Sequence, residues 1–337
     1  MLLVVNAGSS SLKLALFDGP VEVARAQEAE IGTDGHKAAL VRLMTAGFGA
    51  GLTAAAHRVV HGGARLTGAC RIDASVLSEI AACIPLAPLH NPANLAGLRA
   101  VAEIAPDLPQ FASFDTGFHA TNPDCAVHYA LPAGLREQGF RRYGFHGLSY
   151  AAIVRNLKET GDGTLPERLL ALHLGNGASL CAIKNGRSVA TTMGYSPLDG
   201  LTMGTRAGGL DGNLVLRLAE IYGVAGAGRI LNRESGLLGL GGSSDMRALH
   251  LADAPEARFA IQHFCYWAIR HAGSMIAAMG GLDAVAFTGG IGENDANLRA
   301  TILDGLDWIA RGKPVHVIKA EEERQIAIDA LQLGIDG

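Results

Sequence analysis

The chain says nearly the same thing twice. Leu2–Gly19 (LLVVNAGSSSLKLALFDG) and Leu169–Gly186 (LLALHLGNGASLCAIKNG) align without a gap, placing Gly8 on Gly175 and Gly19 on Gly186. Each copy is an apolar run, a turn of Gly, Ser or Asn, a second apolar run, and an Asp-Gly or Asn-Gly dipeptide. That is the pattern of a β-hairpin closed by a small-residue loop, with a further turn behind it. A hairpin repeated half a chain apart predicts a duplicated domain, each copy offering a loop of backbone N–H groups. Such loops make anion-binding concavities, so the expectation is a polyphosphate gripped from both sides.

With 337 residues the chain is long enough for two cores. Apolar residues make up 49% but aromatics only 5%, so these cores must be built from Ala, Leu, Val and Ile. The 44 glycines cluster at turns, which suits backbone approaching a ligand better than disorder. A net charge of −4 without a basic run argues against nucleic acid or an anionic membrane as partner. No apolar stretch is long enough to span a bilayer, and the first residues read as a strand without a basic region or cleavage site. The five cysteines are scattered and never form a CxxC pair. Reduced thiols in the cytoplasm are therefore expected.

Strand-type and helix-type stretches alternate throughout, the mark of an α/β protein. Ala54–Ala56 and Val59–Val60 read as a short strand interrupted by His57 and Arg58. Helices are expected over Ala74–Ile84, stopped by Pro85 and Pro88, and over Asn94–Ile104. Gln110–Phe114 reads as a strand ending at Asp115-Thr116-Gly117. A Gly-rich loop over Tyr195–Asn213 precedes helical sequence from Leu214. The longest helix pattern covers Pro255–Met279, and Ala284–Thr288 is a buried strand leading into Gly289–Asn294. Glu321–Leu333 is an amphipathic helix whose first-turn glutamates suit the helix dipole.

Several polar groups stand out. In Asn6-Ala7-Gly8-Ser9-Ser10-Ser11-Leu12-Lys13, small residues permit a tight turn, and the hydroxyls, amide and lysine suit phosphate oxygens or metal-bound water; a plain serine-rich turn is the alternative. Ser10-Ser11-Leu12-Lys13 also matches the S-x-x-K acyl-enzyme motif, but it lies between strands and lacks the accompanying S-D-N and K-T-G. No Walker A sequence occurs. Arg58 and Arg206 sit beside glycines, where a planar guanidinium can clamp carboxylate or phosphoryl oxygens bidentately. His57 and His61 lack the glutamate of a zinc motif and are expected to pack or hydrogen-bond. Asp115, at the end of a buried strand, is placed to hold Mg²⁺ or to orient a nucleophile. His146 lies between Gly144 and Gly147 and is either a core or a site histidine; His90, between prolines, reads as structural.

Seven motifs in register carry a family resemblance. They are Asn6–Lys13, His57–Gly63, Leu86–Pro92, Phe114-Asp115-Thr116, Arg142–Gly147, His173–Gly177 and Phe287–Asn294. Over nearly its whole length the chain resembles the acetate kinase family of the acetate and sugar kinase/Hsp70/actin superfamily. The resemblance implies an α/β fold of duplicated ribonuclease H-like (actin-like ATPase) domains with an interdomain nucleotide cleft. Residues 1–116 plus 321–337 would form one domain and 117–320 the other. It implies Asp115, His146, Arg206 and Arg58 as the catalytic set, with Asp115 an acid/base or an organiser of magnesium and nucleophile. Arg58, Val60, Leu89, Phe145 and Pro197 would bind the carboxylate substrate. ATP would meet Lys13, His173, Leu174, Gly175, Asn176 and Gly177, then Asp245, Met246 and Arg247, and finally Gly290, Ile291, Gly292, Glu293 and Asn294. Asn6 and Glu322, the latter flanked by Glu321 and Glu323, would serve Mg²⁺, with Mn²⁺ the alternative. The segment between Gly19 and His57 is shorter than in relatives, as is the region after Arg247. Tyr150 replaces a usual histidine, and Gly212-Asn213 replaces Pro-Ala.

Acetate is a poor anionic nucleophile that must approach an anionic γ-phosphoryl group, so positive charge is needed on both sides of an in-line path. The expected reaction is reversible transfer from ATP to acetate, giving acetyl phosphate and ADP without a covalent protein intermediate. A propionate or other short-chain carboxylate kinase is the alternative. An actin- or Hsp70-like nucleotide switch would share the hairpins but has no need of Arg58 and Arg206, and a sugar kinase needs no carboxylate-binding arginine. A cytoplasmic homodimer is implied by the resemblance.

Overall fold

The structure is a computed structural model that describes residues 1–8, 11–29, 31, 35–161 and 163–334. The chain falls into two compact units. One comprises Met1–Ala120, His146–Ala152 and Glu321–Gly337, the other Thr121–Phe145 and Ile153–Ala320.

The first unit is built on six strands: β1 (Leu2–Ala7), β2 (Ser11–Asp18), β3 (Val21–Ala29), β4 (Ala54–Val59), β5 (Cys70–Arg71) and β6 (Gln110–Phe114). Their order is β3-β2-β1-β4-β6-β5. The hairpin strands run antiparallel, whereas β1, β4 and β6 run parallel to one another. Both faces of β1 are covered, which is why its sequence is apolar from Leu2 to Val5, with Asn6 at its carboxyl end. Leu3, Val5, Leu14 and Ala55 pack with Leu40, Ala100 and Val101 on one face. Val4, Phe17, Ala56 and Phe111 pack with Ile326, Ala327 and Ala330 of the C-terminal helix on the other. Each such Leu, Ile or Phe contributes about 1.5–3 kcal/mol on burial.

The second unit has β7 (Arg168–Leu174), β8 (Ala178–Lys184), β9 (Arg187–Thr191), β10 (Ala284–Thr288) and β11 (Val315–Val317). Their order, β11-β10-β7-β8-β9, mirrors β6-β4-β1-β2-β3 of the first sheet with the same parallel and antiparallel pairings, and the edge strand β5 has no counterpart among the described residues. The two units therefore carry the same ribonuclease H-like sheet, as the repeated hairpin predicts. The hairpins are not identical. Asn6 faces Lys13, but His173 faces Ser179, so the second turn is one residue shorter. The gapless alignment holds for the first strand and slips by one in the second. The β-bulges agree with the slipped alignment, falling between Leu16 and Phe17 in one copy and Ala182 and Ile183 in the other.

Strand β4 runs without interruption through His57 and Arg58, because period-two alternation sends one to each face. Helix Asn91–Ile104 begins three residues before the expected start, since Pro92 occupies its first turn, where the missing N–H costs nothing. Helix Ala74–Ala82 stops earlier than expected and passes into a short 3₁₀ turn at Ile84–Leu86. Helix Gly212–Arg233 starts where Asp211 accepts from the Asn213 and Leu214 N–H groups, and Gly223 (φ 72°) breaks it. Helix Pro255–Met279 has the expected bounds and ends on left-handed Gly280. The C-terminal helix spans Glu322–Gln332 with Glu321 as its N-cap. Among the described residues no helix is long and apolar enough to cross a membrane.

Candidate active site

In the first unit, strand alternation gathers charge at one end of one sheet face. Asn6 on β1, its cross-strand partner Lys13 on β2, Arg58 on β4 and Asp115 just past β6 share the face covered by the C-terminal helix. This is the carboxyl end of the parallel strands, where open α/β sheets bind ligands. Arg58 donates from Nε to Asp115 Oδ1 at 3.0 Å and from Nη2 to Oδ2 at 2.6 Å, a bidentate fork. Its Nη1 donates to Asn6 Oδ1 at 3.4 Å and lies 3.9 Å from Glu322 Oε2. The Asn6 amide donates from Nδ2 to Glu323 Oε1 at 3.3 Å. Asp115 is 1% exposed. Burial works to lower the Arg58 pKa, but the charges of Asp115 and Glu322 outweigh it and leave it raised.

The strand ends that carry these groups are fixed by two buried asparagines of helix Asn91–Ile104. Asn94 accepts from the Val60 N–H at 3.0 Å and donates to the Ala7 carbonyl at 2.8 Å, bridging β4 and β1. Asn91 accepts from the His61 N–H at 3.1 Å and donates back to its carbonyl at 3.0 Å. Sequence reading missed both, although two amides on the buried face of a helix are a legible signal. His57 and His61 are buried, with pKa values pushed down by burial to about 3 and about 4. His146 has φ 59°, the left-handed region that a non-glycine residue rarely adopts. Beside it, the Gly147 N–H donates to the Asp115 carbonyl at 2.8 Å, and a Cβ on Gly147 would collide with that oxygen. Glycine is thus what lets the chain carrying His146 press against Asp115.

In the second unit three loops converge. The turn Gly175–Gly177 lies beside Gly290, since a Cβ on Gly175 would stand 3.7 Å from the Gly290 nitrogen and 3.9 Å from His173 Nε2. Gly204 donates its N–H to the Asn176 carbonyl at 2.9 Å, and the Asn176 side chain fills the space where a Gly204 Cβ would point. Two residues on, Arg206 donates from Nη1 to the Pro197 carbonyl at 2.9 Å. Gly289, with φ 80°, starts the short helix Gly289–Asn294. His173, Leu174, Gly175, Asn176, Gly177, Arg206 and Gly290 are thereby brought to one place. Thr288, next to them, has a buried hydroxyl with no hydrogen-bond partner among the described residues.

Other expected residues fall differently. Glu293 Oε1 accepts from the Gly289 and Ala320 N–H groups at 3.1 and 2.9 Å, so its carboxylate shapes the loop. Asn294 bonds back to the Gly290 carbonyl at 2.8 Å. Met246 is buried in the core, while its neighbours Asp245 and Arg247 pair at 2.9 Å on the surface. The bond to Arg247 lowers the Asp245 pKa. Ile291 is half-buried and Gly292 buried. Val60 is buried and Leu89 exposed in the first unit; in the second, Phe145 is buried and Pro197 half-buried. Ser9 and Ser10 lie outside the described residues.

The donor set suits a hard divalent cation. Asp115, Glu322 and Glu323 bring three carboxylates to the half-buried Arg58 guanidinium and the Asn6 amide, with Arg25 3.9 Å from Glu323 as the second cation. Among the described residues no group of three His, Cys, Asp or Glu could hold an ion unaided. A hard divalent cation can keep waters and share few protein ligands with substrate phosphate. Glu321 caps the helix, and its carboxylate meets Arg324 at 3.4 Å.

Comparison with known proteins identifies the family. The acetokinase family profile matches residues 24–313. The chain is 42% identical to the acetate kinase of Rhodopseudomonas palustris (strain ATCC BAA-98 / CGA009), over 92% of this chain and 87% of the relative. The crystal structure of Porphyromonas gingivalis acetate kinase superposes with a TM-score of 0.89 at 31% identity, covering 98% and 99% of the two chains. A propionate kinase from Francisella tularensis subsp. tularensis SCHU S4 gives 0.89 at 33% identity, covering 97% and 98%. Matched along most of its length in sequence and in fold, the chain belongs to the acetokinase family.

Proposed function

We propose that this phosphotransferase moves the γ-phosphoryl group of ATP onto acetate, reversibly and by direct in-line transfer, giving acetyl phosphate and ADP. The observation that carries the reading is the half-buried Arg58 fork, held by the buried Asp115 amid oxygen ligands at the carboxyl end of the sheet. A guanidinium so placed can exchange part of its carboxylate contact for the substrate's carboxylate. Arg58 would bind and neutralise acetate. Asp115 would orient the attacking oxygen or act as acid/base. Asn6 and Glu322 would hold magnesium, which when bound neutralises phosphate charge. Lys13 would meet the nucleotide phosphates. His173 to Gly177, Asp245 to Arg247 and Gly290 to Asn294 would hold ATP. Arg206 and His146 would stabilise the transferring phosphoryl group, whose charge is spread over its equatorial oxygens.

The left-handed backbone at His146 supports its role, since strain of that kind collects at functional sites. Val60, Leu89, Phe145 and Pro197 would wall the acyl site, and the similarity to a propionate kinase favours propionate as a second substrate. Trapping acyl phosphate as hydroxamate with ATP and acetate, propionate or butyrate tests the reading. Acetate should give the highest kcat/KM, with propionate about tenfold lower, the scale of one methylene. Hydroxamate from none of the three would overturn it. A homodimer is also inferred. Helix Gly212–Arg233 presents Leu216, Ile221, Tyr222 and Val224 to solvent at 64, 55, 55 and 83% exposure, an apolar stripe that a second copy would cover. Light scattering at the monomer mass would refute it.

A further inference from the structure

The side chain of Arg206 reaches a segment of the second unit other than the helices that hold its backbone. The backbone is tied to the helices around it: Ala207 N–H donates to Leu231 O at 3.0 Å, Leu237 N–H to Met203 O at 2.8 Å, and Leu238 N–H to Gly204 O at 2.9 Å. The guanidinium instead takes its direction from the Pro197 carbonyl, 2.9 Å from Nη1, and from the Met203 sulfur at 3.5 Å. Pro197 has no N–H with which to fix itself. Its position depends on what holds the segment Tyr195–Gly200 on either side.

Both flanks lead to one residue. Before Pro197, Gly194 O accepts from the Tyr143 N–H at 3.0 Å, and the Tyr195 N–H donates to the Tyr129 phenol oxygen at 3.0 Å. After it, Asp199 Oδ1 accepts from the Gly200 N–H at 2.9 Å, and Asp199 Oδ2 accepts from Arg142 Nη1 at 3.0 Å. The Arg142 guanidinium also lies over the Tyr129 ring, 4.4 Å from its centre. Tyr129 and Asp199 meet over Gly194, where any Cβ would collide with both. One cation thus closes the two ends of the segment that aims Arg206.

We propose that Arg142 and Asp199 are positioning residues for Arg206, clamping the Tyr195–Gly200 segment so that the Pro197 carbonyl directs the guanidinium to the transferring phosphoryl group. The proposal rests on the phosphoryl-stabilising role given to Arg206 above. The side chains of the pair are 38% and 36% exposed, and ion pairs so exposed add little to stability. Its value is geometric, because a misaligned transition-state contact is costly even when the fold is intact.

Arg142→Ala should lower kcat about 10- to 50-fold, the scale of one misplaced charge-assisted hydrogen bond. The KM for ATP and the Tm should stay close to those of the native enzyme, which separates positioning from a structural role. Arg142→Lys, which keeps the charge facing Asp199, should recover most of the rate. Asp199→Asn should reproduce the loss, and it carries the same test should Arg142→Ala fail to fold. The decisive measurement places Arg142→Ala in the Arg206→Ala enzyme, with product accumulated over hours. No further loss is expected when the residue acts only through Arg206. Native kcat in both Arg142→Ala and Asp199→Asn, or an equal loss with and without Arg206, would overturn the proposal. Native activity in Arg206→Ala alone would instead remove the role of Arg206 itself.

Discussion

Replacing Arg58 by alanine separates two things that the bidentate fork does. The substitution strands Asp115, which is 1% exposed, without its cation and takes the positive charge away from Glu322. Breaking a buried pair from one side costs about 3–5 kcal/mol, and the 22% exposure of Arg58 points to the lower end. In a protein of this size about 3 kcal/mol corresponds to a fall of about 4 °C in Tm, readable by circular dichroism. The acetate contact is a separate loss. Two charge-assisted hydrogen bonds at about 1.5 kcal/mol each imply a KM for acetate raised about 100-fold or more in the hydroxamate assay, with the KM for ATP little changed. The double variant Arg58→Met/Asp115→Leu removes both charges; it should recover most of the Tm and remain inactive. A normal acetate KM in Arg58→Ala, whatever its Tm, would reduce Arg58 to a structural partner of Asp115. An unchanged Tm would refute the pairing.

Arg206→Ala should lower kcat by about 10³-fold, the scale of arginine contacts to a transferring phosphoryl group; a loss below tenfold would exclude it from the mechanism. Glu322→Gln should raise the magnesium concentration for half-maximal rate at least tenfold while Glu321→Gln leaves it alone; the reverse order would move the metal site to Glu321. Burial holds His57 near pKa 3 and His61 near 4, below the ordinary 6.5. The unfolded chain therefore binds protons that the native protein refuses, and stability present above about pH 6.5 is lost as pH falls toward those values. Each histidine adds a slope of about 1.4 kcal/mol per pH unit. Urea unfolding at pH 6 and 5 should show the slope lowered by about that much in His57→Leu, and an unaltered slope would refute its burial as a neutral group. Gly147→Ala should cost about 2 kcal/mol or more and depress kcat, since the new Cβ must displace the Asp115 carbonyl; native Tm and rate would show that the close approach is dispensable.

What the sequence disclosed about fold was what depends on local pattern. The repeated hairpin foretold two sheets of one topology, and Pro255–Met279, Gln110–Phe114 and Ala284–Thr288 were found at their expected bounds. The split in β4 was misread because apolarity was weighed without alternation: His57 and Arg58 are polar, yet each face of a central strand can bury one. Adjacency in space was less legible. That Arg58 would grip Asp115, or that Glu323 would receive the Asn6 amide, depends on strands and a helix brought together from opposite ends of the chain. Met246 and Glu293 fell inside expected loops by position, but local packing turned one into the core and set the other to holding backbone. Arg142 lay within a quoted motif, and nothing nearby in sequence marks Asp199 as its partner.

The missing residue in the second turn has a consequence for how twin halves can diverge. Side chains on a strand switch sides at every step, so a residue lost from within a strand would invert what it displays, whereas one lost from the turn leaves the pairing intact. In register, Leu180 takes the place of Leu14 and Ser179, opposite His173, takes that of Lys13. Apolar positions thus stay on their own side in both copies, and the cation of one twin has given way to a buried hydroxyl in the other. Two descendants of one ancestor can specialise at a turn in this way while the sheets behind it remain interchangeable.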